Sequence, residues 1–242
     1  MRKGMLLPGA VALVGLLVLL GLGTWQIERK AWKEALIAML ARRLDAAPVA
    51  LPPPDQWMRM TADSAEFMRV RLRIEPTGEK DALVYTSGSA LRDDVKSPGY
   101  FVFTPVRLPG GGKVVVNRGY VPAQTYPRVG GPQEIVGALR WPESPSWFIA
   151  AHDAAGAVWT VRDQHAMAEL LGWGPVAPFT IEQELPVPPG GLPHPAQLLV
   201  RLRNDHLQYA ITWYGLAAVL VVMFAIWSAA RRREASKDRA SG

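Results

Sequence analysis

The sequence predicts a membrane protein in which two transmembrane helices flank a β-rich α+β extracytoplasmic domain, built as an antiparallel barrel or sandwich with short helices. Three observations predict this class: two long uncharged apolar runs, short β-type segments with Gly/Pro turns between those runs, and basic residues concentrated at the chain ends. The 242 residues are 49% apolar and 20% charged, which suits one modest domain with membrane spans and excludes a disordered chain.

Each apolar run is long enough to cross a bilayer. Residues 5–27 contain no charged side chain, and as a helix these 23 residues extend roughly 34 Å, against a hydrocarbon core of about 30 Å. Residues 207–230 form a second uncharged run of 24, with Tyr209 and Trp213 near one end and another Trp near the other, the arrangement of an aromatic belt. We therefore predict transmembrane helices at 5–27 and 206–230, with the lipid bilayer as their surroundings.

The excess positive charge of the chain lies at its two ends. Of the net charge of +6, residues 1–4 carry +2 and residues 231–242 carry +3, so the centre is almost neutral and predicts no nucleic-acid partner. Because Lys and Arg concentrate on the cytoplasmic side, we expect both termini in the cytoplasm and residues 28–205 in the periplasm. With no Arg- and Ser-rich presequence before the first span, the expected location is a bacterial inner membrane.

The region between the spans opens with an amphipathic helix at residues 28–44. Trp32, Leu36 and Leu40 recur there at helical spacing, opposite the charged side chains. Such a helix either lies on a membrane or partner surface or packs on its own domain, and the sequence leaves both interpretations open. The Pro cluster at 51–54 ends this element.

Seven short β-type segments follow, and the Gly/Pro turns between most of them favour an antiparallel barrel or sandwich. The strands are expected at 68–74, 82–87, 100–106, 113–117, 134–140, 157–161 and 179–184. One helix interrupts them at 163–171, with Asp163 as its N-cap and Gly172 as its C′ residue. An extended Gly- and Pro-rich linker at 186–195 then leads back to the second span.

The sequence contains no established catalytic or metal-cluster motif. Without Cys there is no disulfide, zinc knuckle or thiolate nucleophile, and G-x-S-x-G, H-E-x-x-H and phosphate-loop motifs are absent. Asp163 with His165, and His152 with Asp153, are the nearest approach to an acid–base pair, but adjacent polar residues in loops are usually solvated. We therefore predict no catalytic residue and a protein that is not an enzyme.

His206 differs from the other three histidines because it lies at the outer mouth of the second span. Tyr209, Ala210 and Trp213 follow it on the same helical face. An ionisable residue that enters a membrane helix suggests a function, whereas one at the interface stays hydrated at little cost. Position alone favours an anchoring or helix-start role over a ligand role, and both interpretations stay open.

Four stretches in order give the chain a family likeness. They are G-T-W-Q-I-E-R-K-A-W-K at 23–33, V-V-V-N-R-G-Y-V-P at 114–122, W-T-V-R-D at 159–163 and N-D-H-L-Q-Y-A-I-T-W-Y at 204–214. Each motif alone is weak, but four in order on a chain with two spans and a domain between them are quite specific. The sequence resembles the surfeit-locus family of cytochrome c oxidase assembly factors.

The resemblance implies a factor that helps to mature the haem a-containing subunit I of an aa3-type cytochrome c oxidase, alongside the haem A synthase. It also implies transient binding of haem a, with His206 as the ligand of the only expected metal, the haem iron. Arg29, Arg201 and Arg203 are candidates to contact the haem propionates, although juxtamembrane basic residues also occur without a ligand. The alternative is a structural accessory protein that binds no haem and braces an oxidase assembly intermediate.

The other motif residues have a structural and a docking interpretation. Asn117, Arg118 and Gly119 are predicted to end a strand at a turn, where Gly119 relieves a tight backbone, or to form a docking surface for the oxidase subunit. Trp25 and Gln26 either anchor the first span or contact the second. Structural or docking roles are thus predicted for eight residues: Trp25, Gln26, Asn117, Arg118, Gly119, Asn204, Tyr209 and Trp213.

Overall fold

The structure is a computed structural model that describes residues 3–89, 91–128, 130–143, 152, 158–199 and 204–240. The chain forms two units: Met1–Ile37 with Leu202–Gly242 is helical, and Ala38–Arg201 is rich in β-strands. Two long helices near the ends of the chain therefore flank a β-rich centre, which confirms the predicted fold class.

All seven predicted strands are present, and so are helices at the two predicted spans and at the predicted segments 28–44 and 163–171. The helices are α1 (Lys3–Asp45), α2 (Ala62–Ala65), α3 (Gln164–Leu171) and α4 (His206–Ala240), with a 3-10 helix at Pro54–Arg59. The strands are β1 (Val49–Ala50), β2 (Arg69–Pro76), β3 (Ala82–Thr86), β4 (Gly99–Arg107), β5 (Lys113–Val121), β6 (Gln133–Arg140), β7 (Val158–Trp159) and β8 (Thr180–Leu185). Strand β1 was not predicted, because two residues are too few to show alternation.

Helices α1 and α4 contain the two predicted spans. By length and composition, each holds a segment apolar enough to cross a membrane. The helix predicted at 28–44 continues α1 without a break, because residues 24–44 contain neither Gly nor Pro. The direction in which the helices cross a bilayer stays a prediction.

Glycines let the two long helices pack closely within the helical unit. A Cβ atom on Gly23 would lie 2.8 Å from the ring of Tyr214, and one on Gly15 would lie 3.3 Å from the side chain of Leu220. The hydroxyl groups of Thr24 and Tyr214 are 3.1 Å apart and share a hydrogen bond. Close approach of this kind is how small residues bring membrane helices together.

The last turns of α1 belong to the β-rich unit. Leu44 is buried in a cluster with Phe67 and Leu198, and Leu40 packs against the same cluster. The C-terminal end of the amphipathic segment predicted at 28–44 therefore packs on the domain of its own chain.

Five strands of the β-rich unit close into a barrel. Their order is β2-β6-β8-β5-β4, and β4 returns to β2 where Arg107 pairs with Glu75. Strand β8 runs parallel to β5, with Thr180 opposite Val115, whereas the other pairs around the barrel are antiparallel. The predicted antiparallel barrel therefore contains one parallel pair, and the two-residue strands β1 and β7 add parallel pairs with β2 and β3 outside it. A parallel pair needs a long crossover, and the connection from β5 to β8, residues 122–179, is long enough to contain β6, β7 and α3.

Alternation along the strands fills the barrel with apolar side chains. In β2, Val70, Leu72 and Ile74 are buried while the arginines between them are more exposed, as the sequence pattern predicts. The largest contributors from the neighbouring strands and the loop before β8 are Val114, Val116, Ile135, Leu139, Phe179 and Ile181. Most of these residues are β-branched or aromatic, the types that pack well on a pleated surface.

Helix α3 begins and ends where the sequence predicts. The carboxylate of Asp163 accepts hydrogen bonds from the backbone N–H groups of His165 and Ala166 at 3.0 and 3.1 Å. Gly172 ends the helix in the left-handed region, with φ of 72°. The Asp163 carboxylate therefore serves as a helix cap, in keeping with the structural interpretation of this acid–His pair.

Strand β5 continues to Val121, so the predicted strand end at Asn117 is wrong. The extra residues pair with β4, with Tyr120 opposite Phe101 and Val121 opposite Tyr100. Two further backbone hydrogen bonds join Tyr120 and His194, at 3.0 Å and 2.8 Å. The linker at 186–195 forms no helix or strand of its own, as predicted, but these bonds attach it to the barrel.

Candidate functional site

His206 and Gln26 meet within the helical unit, although 180 residues separate them in the chain. The Nδ1 atom of His206 lies 2.6 Å from the Oε1 atom of Gln26. His206 is the first residue of α4, Gln26 belongs to α1, and both side chains are half-buried. The structure therefore joins two residues that sequence reasoning placed in separate motifs.

The packing of α1 on α4 positions this pair. Gln26 lies three residues after Gly23, whose contact with the Tyr214 ring brings the helices together, so both residues belong to one face of α1. Ala210 lies one turn after His206 and is almost completely buried. Its small side chain permits the close approach that the Gln26–His206 hydrogen bond requires.

The hydrogen bond determines which nitrogen of His206 is free. An amide oxygen only accepts, so Nδ1 carries the hydrogen and donates it. In the neutral ring Nε2 then holds the lone pair, and within the described residues it makes no hydrogen bond. An imidazole that donates through one nitrogen and is open at the other has the arrangement of a metal-ligating histidine.

Three basic residues were predicted as candidate propionate contacts, and the structure describes one of them. The guanidinium of Arg29 stacks over the ring of Trp32, with its carbon 4.0 Å from the ring centroid. Stacking uses the face of the guanidinium, whereas carboxylates bind to its N–H edge. Arg201 and Arg203 lie outside the described residues.

The remaining motif residues of the helical unit differ in exposure. Trp25 and Tyr209 are more than half exposed, whereas Trp213 is half-buried. Tyr209 is therefore exposed even though it follows His206 by one turn. The Oδ1 atom of Asn204 is buried and has no hydrogen-bond partner within the part of the chain that the structure describes.

Asn117 and Gly119 make contacts that favour the structural interpretation of their motif. The Asn117 amide donates to a Glu182 carboxylate oxygen at 2.6 Å, and its Oδ1 accepts from the Gly119 N–H at 3.0 Å. Gly119 has φ of 121°, and a Cβ atom there would lie 2.2 Å from the carbonyl oxygen of His194. Arg118 is also buried, so little of this motif is at the surface.

A chain of charged residues continues from Asn117, and sequence reasoning missed it. Arg162 pairs with Glu182 at 3.3 Å and also with Glu143, and Arg140 pairs with Glu66 at 3.2 Å. Burial alone would raise the pKa of Glu143, but its hydrogen bond from Arg162 and the nearby positive charges hold that pKa below its ordinary value. In the sequence, the only indication of these ion pairs was Arg162, which belongs to the W-T-V-R-D stretch.

A multi-ligand metal centre is not found among the described residues, since they contain no group of three or more acidic or His side chains that could hold an ion.

These features define a class: a small closed barrel inserted between two helices that can span a membrane. Comparison with known proteins narrows it, since the SURF1 family profile matches residues 13–218. The chain is 33% identical to Surfeit locus protein 1 of Rattus norvegicus, over 82% of this chain and 68% of the relative. It is 32% identical to Surfeit locus protein 1 of Takifugu rubripes, over 84% and 90%. It is 35% identical to the SURF1-like protein of Monosiga brevicollis, over 91% and 86%.

The chain belongs to the SURF1 family, which confirms the resemblance drawn from the four sequence stretches. The matched region includes both Gln26 and His206 and the whole barrel. The family assignment therefore covers both units of the structure.

Proposed function

We propose that this SURF1-family protein is an assembly factor for an aa3-type cytochrome c oxidase, and that it binds haem a through His206 or assists haem insertion into subunit I. It acts in the bacterial inner membrane alongside the haem A synthase, with both termini cytoplasmic and the barrel periplasmic. The Gln26–His206 hydrogen bond carries the proposal, because it leaves an imidazole nitrogen open where the second apolar helix begins.

The residues of the helical unit fit a haem. Haem a, when bound, supplies a Lewis-acidic iron and a farnesyl tail that prefers lipid. His206 would hold the iron through its Nε2 lone pair, and Gln26 would hold the ring in one tautomer and orientation. The apolar lengths of α1 and α4 give a membrane-embedded surface next to this ligand.

Basic residues close to the ends of the predicted spans suit the haem propionates. The N–H edge of the Arg29 guanidinium is the part that binds carboxylates, and its stack on Trp32 holds the group in place. Arg201 and Arg203 precede α4 in the chain and are further candidates for these contacts.

The protein holds and transfers its ligand without converting it. Within the described residues, His206 has no acidic hydrogen-bond partner, and the Asp163 carboxylate caps α3. These arrangements suit binding and release, which is the behaviour of an assembly factor.

The test is the visible absorption spectrum of the full-length protein, purified from cells that make haem A. We expect a haem a-type band in the wild type and in His165→Ala, and no band in His206→Ala. His165 is a matched control because its ring lies in α3 of the β-rich unit. Circular dichroism and gel filtration show that the variants remain folded.

A wild-type protein without the band would overturn haem binding. It would support the accessory role, in which the barrel braces an oxidase intermediate and His206 anchors the start of α4. A band that is unchanged in His206→Ala would retain haem binding and overturn the ligand assignment.

A further inference from the structure

A cleft of about 190 Å³ opens in the β-rich unit. Its polar lining consists of Glu79, Asp81, Thr104, Arg118, Tyr126 and Arg128. Apolar side chains, including Val102 and Pro193, form the rest of its wall. The proposed haem-binding function uses none of these residues, so the purpose of the cleft is a separate question.

The guanidinium of Arg118 is buried without a close counter-ion. Only 5% of this residue is exposed, and within the described residues no carboxylate lies within hydrogen-bonding or ion-pair distance. The amide of Gln133 satisfies its neighbours when its oxygen, rather than its nitrogen, faces Arg118. In that orientation the oxygen accepts from both terminal nitrogens of Arg118, at 3.2 and 2.5 Å. A neutral amide partner satisfies hydrogen bonds but leaves the charge of Arg118 uncompensated at short range.

Burial lowers the pKa of Arg118 to about 10, while the more distant charge of Asp81 acts in the opposite direction. The side chain is therefore still protonated at neutral pH. A positive charge in a poorly solvated position is stabilised by any anion that can reach it.

Asp81 has its own donors and its own counter-ion. Its carboxylate accepts from the Thr104 hydroxyl at 2.8 Å and from the Tyr126 hydroxyl at 2.6 Å, and Arg128 pairs with it at 3.3 Å. Tyr126 stays a neutral donor, since burial and the adjacent Asp81 raise its pKa. The Asp81–Arg128 pair is thus balanced, and Glu79 in the same lining pairs with Lys113 at 2.8 Å. Arg118 remains as one unpaired positive charge facing the cleft.

We propose that this cleft binds a carboxylate, with the Arg118 guanidinium as its counter-ion. A planar guanidinium matches the two oxygens of a carboxylate. One unpaired charge balances a monoanion, whereas Asp81 in the same wall disfavours a dianion such as phosphate. This binding site is independent of haem and of His206.

The size and lining of the cleft restrict the ligand further. At about 30 Å³ per water molecule, its volume corresponds to about six waters. That space accommodates a carboxylate with a short apolar group, which Val102 and Pro193 would contact. Both a free short-chain acid and the C-terminal residue of a peptide have this chemistry.

The first test measures the thermal unfolding midpoint of the full-length protein in detergent with sodium propionate and with propionamide, at matched ionic strength. We expect propionate at about ten times its Kd to raise the midpoint by about 3 °C and the neutral amide to leave it unchanged. Equal effects of the two compounds, or no effect of propionate, would overturn the proposal.

Variants test whether Arg118 causes the rise in the unfolding midpoint with propionate. Arg118→Gln should abolish the shift caused by propionate, and Arg118→Lys should reduce it because the charge remains but the planar fork is lost. Arg73→Gln is the control, since Arg73 is exposed on β2 and does not line the cleft. If Arg118→Gln does not fold, the Arg118→Lys comparison still decides: an unchanged shift in it would contradict the role of the guanidinium.

A third comparison distinguishes the two sources of the carboxylate. A tripeptide that ends in Ala with a free carboxylate is titrated beside its C-terminal amide and beside propionate. Tighter binding of the free-acid peptide than of propionate indicates a peptide C-terminus, and the reverse indicates a small acid. Equal binding of the free peptide and its amide, with no response to propionate, would overturn the site.

Discussion

The amide oxygen of Gln26 accepts a hydrogen bond from Nδ1 of His206 at 2.6 Å. A bond of this kind orients a ligating imidazole and raises its basicity, and its loss typically weakens metal binding by about 10- to 100-fold. We therefore expect Gln26→Leu to lower haem affinity by at least about 10-fold. Titration of the purified protein with haem a, followed by absorption, measures this change.

Two further variants separate orientation from general damage. Gln26→Glu keeps an oxygen acceptor for Nδ1 and should retain haem binding. Gln208→Leu removes an exposed glutamine from the first turns of α4 and should have no effect. If Gln26→Leu binds haem as tightly as the wild type, the positioning role of Gln26 is wrong.

Gly23→Ala should destabilise the helix pair. The added Cβ would lie 2.8 Å from the Tyr214 ring, so the ring must move and its hydrogen bond with Thr24 is lost. A cost of about 1–2 kcal/mol is typical of such overpacking. Gly21→Ala is a close control, since no atom lies within 4 Å of its added Cβ. Thermal unfolding in detergent, recorded at a helix-sensitive wavelength, compares the two, and equal midpoints would contradict the packing argument.

Gly119→Ala should destabilise the barrel by about 3 kcal/mol or more, because it combines backbone strain with a steric clash. Its φ is 121°, and the added Cβ would lie 2.2 Å from the His194 carbonyl oxygen. Gly111→Ala has comparable strain at φ of 90° but no clash, and should cost about 1 kcal/mol. Urea unfolding gives both values. A docking residue without a structural role would instead leave the stability of Gly119→Ala near that of the wild type.

The free energy of unfolding of the barrel should decrease at low pH, because Glu143 then becomes protonated. Its folded pKa is held below the ordinary value of 4.5 because the hydrogen bond from Arg162 and nearby positive charges outweigh the effect of burial. A group with a lowered folded pKa stabilises the protein fully above the unfolded pKa, and this contribution is lost as the pH falls through the folded pKa.

Urea unfolding at pH 7 and below pH 4.5 tests this dependence. Glu143→Gln should be less stable than the wild type at pH 7, and the difference should shrink in acid. Glu134→Gln, which alters an exposed ion pair with Arg71, should change stability by less than about 1 kcal/mol at either pH. A difference between Glu143→Gln and wild type that is constant with pH would contradict the assignment.

The features predicted well from the sequence are those with local physical causes. Alternating Arg and apolar residues define β2, and Asp163 and Gly172 define the ends of α3, because caps and alternation involve residues only a few positions apart. The two apolar runs are equally local, since length and composition alone predict a span.

The features that were not predicted depend on pairing between distant segments. The closure of β4 on β2, the parallel pair of β5 and β8, and the continuation of β5 beyond Asn117 all depend on segments that meet only in the folded chain. In the site, the sequence left open whether Gln26 anchors the first span or contacts the second, and it could not show that the contact is with His206, 180 residues later. Alternation shows which side of a strand is buried and gives no information about its neighbour.

The barrel seam limits how a partner can bind. Strand β1 pairs with the start of β2 at Val70, and β4 pairs with its end at Glu75, so two strands share one edge. The outermost strands of the described sheet, β1 and β7, have only two residues each. Edges this short offer an incoming chain few free backbone groups, so recognition by strand addition is disfavoured. A protein that docks on this domain must therefore be selected through side chains and loops, and mutations of surface side chains should alter its affinity.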